Sequence, residues 1–278
     1  MSTDSLTVKF YEVFQEEKNE IKSFLPPDIN AEFTWKTVQA EGESSPAADI
    51  ISIRTQSRIP ANWVEGLKGV LTRSQGYDHV LEIQEFLGKN VKYGYLPDYC
   101  ATAVAEQAII LALCLRRCLK KQMNQFHTFH REEMTGFEAA EANCLVVGVG
   151  NIGEEIAGMA GALQMNVRGV DIIHNVADLE YVSIEEGLAW ANVIICALPL
   201  TDKTLHLLDY KALCQVKPGT VLVNISRGEI TPTQDLKRLI DDSILAGVAL
   251  DVYENEHVLA ECLRQGRRSD EPSVQAAI

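Results

Sequence analysis

Gly148, Gly150 and Gly153 follow the G-x-G-x-x-G spacing, which is typical of loops that bind a dinucleotide. The first glycine allows a tight turn, the second lets a pyrophosphate approach the backbone, and the third lets a helix pack closely on a strand. Asp171 comes 18 residues after Gly153, at the end of a second apolar run. An acid there can bind both ribose hydroxyls of NAD and repel the 2′-phosphate of NADP, so the pattern favours NAD. The alternative is a glycine-rich turn in another α/β protein.

Charged residues also follow two later apolar runs that we predict to be buried strands. Arg227 comes after the first run, and Asp251, Glu254 and Glu256 come after the second. In an open parallel sheet, ligands bind beyond the carboxyl ends of the strands. A guanidinium there can clamp a substrate carboxylate and polarise a carbonyl, while an acid can contact a nicotinamide amide or orient an imidazole. The alternatives are a surface salt bridge for the arginine and solvated loop carboxylates for the acids.

Strands and helices must position these residues. Patterns typical of strands and of helices alternate along the chain. We predict an α/β fold with two Rossmann-like domains, each a doubly wound parallel sheet, with a cleft between them. The domains are residues 1–100, which lack a phosphate loop, and residues 101–278. Within them we predict helices over Asp78–Leu87 and from about Ala101 to His130, and a further regular element over Thr204–Leu208.

Composition narrows the class of protein. The 278 residues are 46% hydrophobic, which supports real cores, and the net charge of −14 argues against nucleic acid or an anionic membrane as partner. The most apolar stretch, Ala101–Leu115, is too short to span a bilayer and contains Glu106. With seven cysteines, no C-x-x-C pair and no visible secretory signal, we expect a cytoplasmic protein.

Several segments occur together in an order that resembles the D-isomer-specific 2-hydroxyacid dehydrogenase family. They are the glycine loop with Asp171, then Ala197–Thr201, Asn224–Gly228 and Leu250–Glu256, preceded by Arg73–His79, similar to the family's substrate loop, and Tyr95–Glu106, similar to its interdomain crossing. The likeness covers roughly residues 50–256. It implies a flavodoxin-like substrate domain over residues 1–100 and an NAD-binding Rossmann domain over 101–278 that lacks its C-terminal return segment.

The resemblance also implies roles for individual residues. Arg227 would bind the substrate carboxylate and the reacting oxygen, and Glu256 would pair with a catalytic histidine. The backbone amides around Gln75 and Gly76 would hold the substrate carboxylate. Ile152 would lie along the pyrophosphate, Pro199 near the adenine ribose and Asp251 near the nicotinamide. The implied cofactor-binding residues are Gly148, Gly150, Asn151, Ile152, Gly153, Asp171, Pro199 and Asp251.

The family implies NAD as cofactor, a small D-2-hydroxy acid or 2-keto acid as substrate, a homodimer and no metal.

The chain departs from the family's pattern at one position. The family's acid/base histidine, in a Pro-His motif beyond the glutamate, has no counterpart between Glu256 and Ile278. His79 is the best substitute among the six histidines, and the apolar last residues favour truncation. Loss of a positioned acid/base lowers a rate by about 100- to 10,000-fold. A non-catalytic NAD(H)-binding regulator or partner-binding subunit, and a phosphite dehydrogenase, stay open as alternatives.

Overall fold

The computed structural model describes residues 5–63, 66–77, 79–81 and 91–277. The chain divides into two compact units, Met1–Tyr99 and Cys100–Ile278. Each unit contains a parallel sheet with helices between the strands, which confirms the predicted α/β class. Most of the helix predicted over Asp78–Leu87 lies outside the described residues, and its described part, residues 79–81, is helical.

The first unit is built on a parallel sheet whose described strands lie in the order β2-β1-β3-β4-β5. Strands that step outward in both directions from β1 are typical of doubly wound folds. Tyr11, Ile51, Ile53 and Trp63 are fully buried and form the centre of its core. The described elements are β1 (Leu6–Phe10), α1 (Gln15–Phe24), β2 (Ile29–Phe33), α2 (Val38–Glu41), β3 (Ile50–Ile53), a 3₁₀ turn (Ala61–Trp63), β4 (Gly69–Thr72) and β5 (Lys92–Gly94).

The second unit has a parallel sheet in the order β11-β10-β9-β6-β7-β8. The chain starts at β6 in the middle, winds outward to β8, and returns to β9 on the other side of β6. The carboxyl ends of β6 and β9 therefore form a switch point, where open α/β sheets bind ligands. The described elements are α3 (Ala101–Arg116), α4 (Leu119–Phe126), β6 (Asn143–Val147), α5 (Asn151–Ala162), β7 (Asn166–Val170), β8 (Glu180–Tyr181), α6 (Ile184–Trp190), β9 (Val193–Cys196), α7 (Tyr210–Leu213), β10 (Thr220–Asn224), α8 (Thr233–Asp241), β11 (Leu245–Leu250), α9 (Glu256–Gln265) and α10 (Pro272–Ala277).

The central strands of this sheet are covered on both faces. Every residue of β9 and β10 is buried, because α3 and α5 pack on one face while α6, α7 and α8 pack on the other. Strands covered on both sides have continuous apolar sequences, which is why the strand before Arg227 was recognisable in the sequence. Rigid strands of this kind hold the loops at their ends in fixed positions.

Two predicted elements are wrong. The helix predicted from Ala101 to His130 is broken, since α3 ends at Arg116 and Cys118 adopts a left-handed backbone with φ +54°. The cause is tertiary: the amide of Phe137 donates to the Arg116 carbonyl at 2.8 Å and takes the place of the next helical turn. Residues 204–208 form turns, with His206 at φ +54°, so they are neither strand nor helix.

Candidate nucleotide-binding site

The glycine loop joins β6 to α5 at the switch point. Gly148 has φ +96°, and a Cβ atom there would lie 2.7 Å from both the carbonyl carbon and oxygen of Ala197. A Cβ on Gly153 would lie 2.0 Å from the carbonyl oxygen of Gly148. Both positions therefore exclude any side chain, because the loop is packed against β9 and the first turn of α5 is packed against the loop.

Gly150 has different surroundings. It is exposed, it caps α5 with φ −86°, and a Cβ built on it meets no atom within 4 Å. The protein alone gives no reason for a glycine at this position. A ligand that approaches the backbone at the amino terminus of α5 does, since this twelve-residue helix presents amide donors and a positive dipole end there.

Asp171 follows β7 and is fixed by two backbone donors. Its Oδ2 accepts from the amide of Val149 at 2.7 Å, and its Oδ1 accepts from the amide of Ile173 at 2.9 Å. The first bond ties the carboxylate directly to the glycine loop. Each carboxylate oxygen keeps further lone-pair capacity, so a fixed Asp171 can also accept from the two hydroxyls of a ribose.

A continuous row of backbone hydrogen bonds aligns the carboxyl ends of four strands, β6, β9, β10 and β11. The bonds run from the Ala197 amide to the Val147 carbonyl at 2.8 Å, from Ile225 to Cys196 at 3.2 Å, and from Asp251 to Asn224 at 3.0 Å. Pro199 follows β9, is exposed, and accepts the Thr204 hydroxyl at 2.7 Å through its carbonyl. The glycine loop, Pro199, Arg227 and Asp251 therefore share one edge of the sheet.

Asn224 is a buried residue that holds the Arg227 segment, and sequence reasoning gave it no role. Its Nδ2 donates to the Arg227 carbonyl at 2.9 Å and to the Thr231 hydroxyl at 2.7 Å. Its Oδ1 accepts from the amide and hydroxyl of Ser226 at 2.9 and 2.8 Å. Arg227 is half-buried, and its Nη1 donates to the Ser226 carbonyl at 2.8 Å. The sequence signal that could have revealed the role of Asn224 is its position, as a polar residue at the end of an otherwise apolar strand.

Gly228 lets the Arg227 segment lie against the loop after β11. A Cβ atom on Gly228 would be 2.0 Å from the carbonyl carbon of Tyr253 and 2.1 Å from the amide nitrogen of Glu254. Glu254 accepts the amide of Thr233 at the start of α8, so one of the three predicted acids is a helix cap. Glu256 is half-buried and begins α9. The structure thus brings the Arg227 and Asp251–Glu256 segments together.

In the first unit, Arg73 anchors the loop after β4. It is 8% exposed, and its guanidinium donates to the Glu17 carboxylate at 2.9 Å, the Ser52 hydroxyl at 2.9 Å and the Tyr11 carbonyl at 2.7 Å. Burial lowers the pKa of Arg73, while the ion pair with Glu17 opposes that shift. The donors of the Arg73 guanidinium are therefore bonded within the first unit, and these bonds fix the loop that follows Arg73.

That loop carries Gln75 and Gly76. The Ser74 hydroxyl donates to the Gly76 carbonyl at 2.7 Å, and within the described residues the amides of Gln75 and Gly76 meet no acceptor. The buried Gln75 Oε1 also lacks a hydrogen-bond partner there. His79 is 5% exposed, with its Nε2 3.0 Å from the Thr72 hydroxyl. Burial and this bond make His79 part of the scaffold and do not support it as a substitute acid/base.

No group of three or more metal-ligating side chains lies together among the described residues. In that same part of the chain, no helix has the length and apolar character needed to cross a membrane.

A family model described as D-isomer specific 2-hydroxyacid dehydrogenase, NAD binding domain, matches residues 108–269, more than half of the chain. The chain belongs to this family. It therefore contains the NAD-binding domain of a D-isomer-specific 2-hydroxyacid dehydrogenase, and NAD is confirmed as the cofactor that the glycine loop predicted. The matched residues include the whole row of strand ends described above.

Two curated relatives and one solved structure illustrate the similarity. A 2-hydroxyacid dehydrogenase homolog of Haemophilus influenzae is 31% identical over 70% of this chain and 60% of its own length. A D-lactate dehydrogenase of Streptococcus agalactiae is 30% identical over 69% of this chain and 60% of its length. A D-lactate dehydrogenase of Aquifex aeolicus, solved with NAD and lactic acid, superposes with a TM-score of 0.82 at 25% identity, covering 95% of this chain and 82% of that one. The chain spans about 60% of the length of these curated relatives.

Proposed function

We propose that the protein containing this chain is an NAD-dependent oxidoreductase that transfers a hydride between NAD(H) and a small D-2-hydroxy acid or the matching 2-keto acid. One observation carries the proposal: Arg227 is held on the same sheet edge as the glycine loop by the buried amide of Asn224. A cation fixed beside a dinucleotide loop suits a substrate that carries a carboxylate.

The residues around the glycine loop fit NAD. When bound, NAD supplies the nicotinamide ring that accepts or returns the hydride. Gly150 leaves open space for the pyrophosphate, and Asp171 is oriented towards the loop by the Val149 amide. Asn151 and Ile152 begin α5, where their amides belong to the positive end of the helix, although Ile152 also packs on the core. We assign Pro199 to the adenosine side and Asp251 to the nicotinamide side.

Arg227 binds the substrate carboxylate and polarises the oxygen on the reacting carbon. A guanidinium does both because it presents several donors in a fixed plane. During oxidation, the hydroxyl proton passes to a base as the hydride leaves the carbon, and reduction runs the same steps in reverse. We assign Glu256 to the orientation of an imidazole that serves as this base.

Gln75 and Gly76 are the second proposed contact for the substrate carboxylate. Backbone amides without protein acceptors bind an anion well, because their donors are already oriented and lose little freedom on binding. Their loop is fixed at its base by Arg73, whose donors bond to α1, to β3 and to the segment that follows β1. This arrangement supports a pre-formed anion site on the first unit.

The test is reduction of pyruvate, glyoxylate, hydroxypyruvate and bulkier 2-keto acids with NADH, using the protein encoded by the whole gene. We expect turnover of at least one acid, and a loss of at least about 100-fold in kcat/KM for Arg227→Gln. Arg227→Lys is the matched control, because it keeps the charge and loses the bidentate fork. NADH binding without turnover of any acid would overturn the proposal in favour of a non-catalytic role, and phosphite-dependent NADH formation would replace it with phosphite oxidation.

A further inference from the structure

A second pocket, of about 330 Å³, lies at the amino-terminal edge of the second unit's sheet. Its lining includes the residues that immediately precede three strands: Ala142 before β6, Asn192 before β9 and Gly219 before β10. Arg116, the last residue of α3, and Phe137 also line the pocket. A volume of this size is at the lower end of the range for small-molecule sites.

This pocket is separate from the nucleotide site. The glycine loop and the Arg227 segment follow β6 and β10, whereas the pocket residues precede the same strands. Strands of four or five residues rise about 3.3 Å per residue, so the two sites are roughly 15 Å apart along the sheet. Nothing in the proposed dehydrogenase reaction uses the pocket.

Arg116 gives the pocket its chemistry. It is 9% exposed, and its Nε and Nη2 donate to the Glu138 carbonyl at 3.2 and 2.6 Å. Its Nη1 makes no hydrogen bond, and no carboxylate lies within 4.0 Å of its guanidinium, among the residues that the structure describes. Burial lowers the pKa of Arg116, because the charged form lacks full solvation there. Buried cations in proteins are normally paired with an anion.

Asn192 supplies a second donor. Its Oδ1 accepts the Asn143 amide at 3.1 Å, which orients the side-chain amide so that Nδ2 is the group left for a ligand. The rest of the wall is mixed. Its apolar part is Phe137, whose ring centroid lies 5.6 Å from the Arg116 guanidinium, with Pro218 and Ala140, and its polar part includes Glu138 and Glu141. Two donors next to the Phe137 ring suit a small molecule with a negative head and an apolar body.

We propose that this pocket binds a small organic carboxylate, whose carboxylate group pairs with Arg116 Nη1 and Asn192 Nδ2 while its apolar body lies against Phe137 and Pro218. The ion pair provides the missing counter-charge for Arg116. The ring or chain of the ligand covers Phe137, which is 61% exposed.

The test uses benzoate as probe and amide chemical shifts of the isotope-labelled 278-residue chain as readout. We expect saturable shifts at Ala140, Ala142 and Gly219 with a Kd of about 1 mM, a typical affinity for so small a ligand. Shifts confined to the Gly148–Gly153 loop or to the Arg227 segment would mean that benzoate binds elsewhere, and would overturn the proposal. Equal shifts with neutral benzamide, or shifts with inorganic phosphate but none with benzoate, would also overturn it.

Two variants distinguish an effect of charge on benzoate binding from an effect on the fold. Asn192→Asp keeps the acceptor for the Asn143 amide and places a carboxylate in the same pocket as Arg116, so benzoate affinity should fall more than about 10-fold. Glu138→Gln removes an exposed rim charge while keeping the backbone carbonyl that binds Arg116, so affinity should rise about two-fold or stay equal. Unchanged benzoate affinity in Asn192→Asp would contradict the proposal. Shifts at the pocket that depend on protein concentration without any ligand would show instead that a second copy covers it.

Discussion

At the nucleotide loop, the three glycines are required for three different physical reasons. Gly148 needs its positive φ and its close approach to Ala197, and Gly153 needs its close approach to the Gly148 carbonyl. Gly150 has neither requirement, since a Cβ there would meet no protein atom. The first and third glycines therefore serve the fold, whereas we propose that the second leaves room for the ligand.

This difference predicts opposite outcomes for two alanine substitutions. Gly153→Ala should destabilise the second unit by about 3 kcal/mol, because a methyl group 2.0 Å from a carbonyl oxygen forces the backbone to move. Gly150→Ala should change stability by less than about 1 kcal/mol, yet weaken NADH binding about 10-fold or more. Urea unfolding and NADH fluorescence titration of both variants measure the two effects. A Gly150→Ala protein with unchanged NADH affinity would contradict the assigned pyrophosphate position.

Asp49 predicts how the first unit responds to acid. Hydrogen bonds from Lys68 and from the amide and hydroxyl of Thr7 lower the pKa of Asp49 to about 2. A carboxyl whose pKa is lowered in the folded state adds stability above its unfolded pKa, near 3.8, and loses it as the pH falls through about 2. The free energy of unfolding of Asp49→Asn should therefore depend less on pH between pH 4 and 2 than that of the wild type. Parallel stability curves for wild type and Asp49→Asn would contradict this.

At the scale of elements, the loops after β10 and β11 are held together by contacts that have no sequence motif of their own. Gly228 packs against the Tyr253–Glu254 peptide, and Glu254 caps α8 through the Thr233 amide. The acids after β11 looked equivalent in the sequence, but Glu254 has a scaffold role. Together these contacts fix where Arg227 and Asp251 are presented.

Removal of the Glu254 cap tests this arrangement. Glu254→Ala leaves the Thr233 amide without its acceptor and removes a negative charge from the amino terminus of α8, so stability should fall by about 1 kcal/mol. Hydrogen exchange should accelerate at the start of α8. Glu261→Ala is a matched control, since Glu261 lies within a helix rather than at its amino terminus, and it should change exchange in α8 little. Equal exchange at α8 in wild type and Glu254→Ala would refute the cap.

Sequence patterns predicted the elements whose cause is local. The apolar runs before Arg227 and before Asp251 predicted two strands, and they are β10 and β11. The break after Arg116 could not be predicted, because it depends on the Phe137 amide, 21 residues away. The partners of Asn224 are near in sequence, at Ser226, Arg227 and Thr231, but which of their atoms its amide bonds depends on the conformation of the loop, which has no sequence motif of its own.

At the scale of the whole molecule, the exposed apolar side chains favour self-association. Leu119, Met123 and Phe126 on α4, with Phe129 after it, are 42–78% exposed. Such residues scattered singly are ordinary, but several within one short segment mark an interaction surface. We therefore predict a homodimer of about twice 30.8 kDa. Light scattering measures the mass directly, and Met123→Lys with Phe126→Lys should shift it to that of a monomer. A monomeric mass for the unsubstituted protein would contradict the prediction.

We predict that the Gly148–Gly153 loop and Asp171 form a site for NAD rather than NADP. This prediction rests on the open space at Gly150 and on the Asp171 carboxylate fixed beside the loop, where it would repel a 2′-phosphate. The most direct measurement is a fluorescence titration of the chain with NADH and with NADPH under the same conditions. We expect saturable NADH binding at least about 10-fold tighter than NADPH binding. Equal affinities, or no saturable binding of NADH, would contradict it.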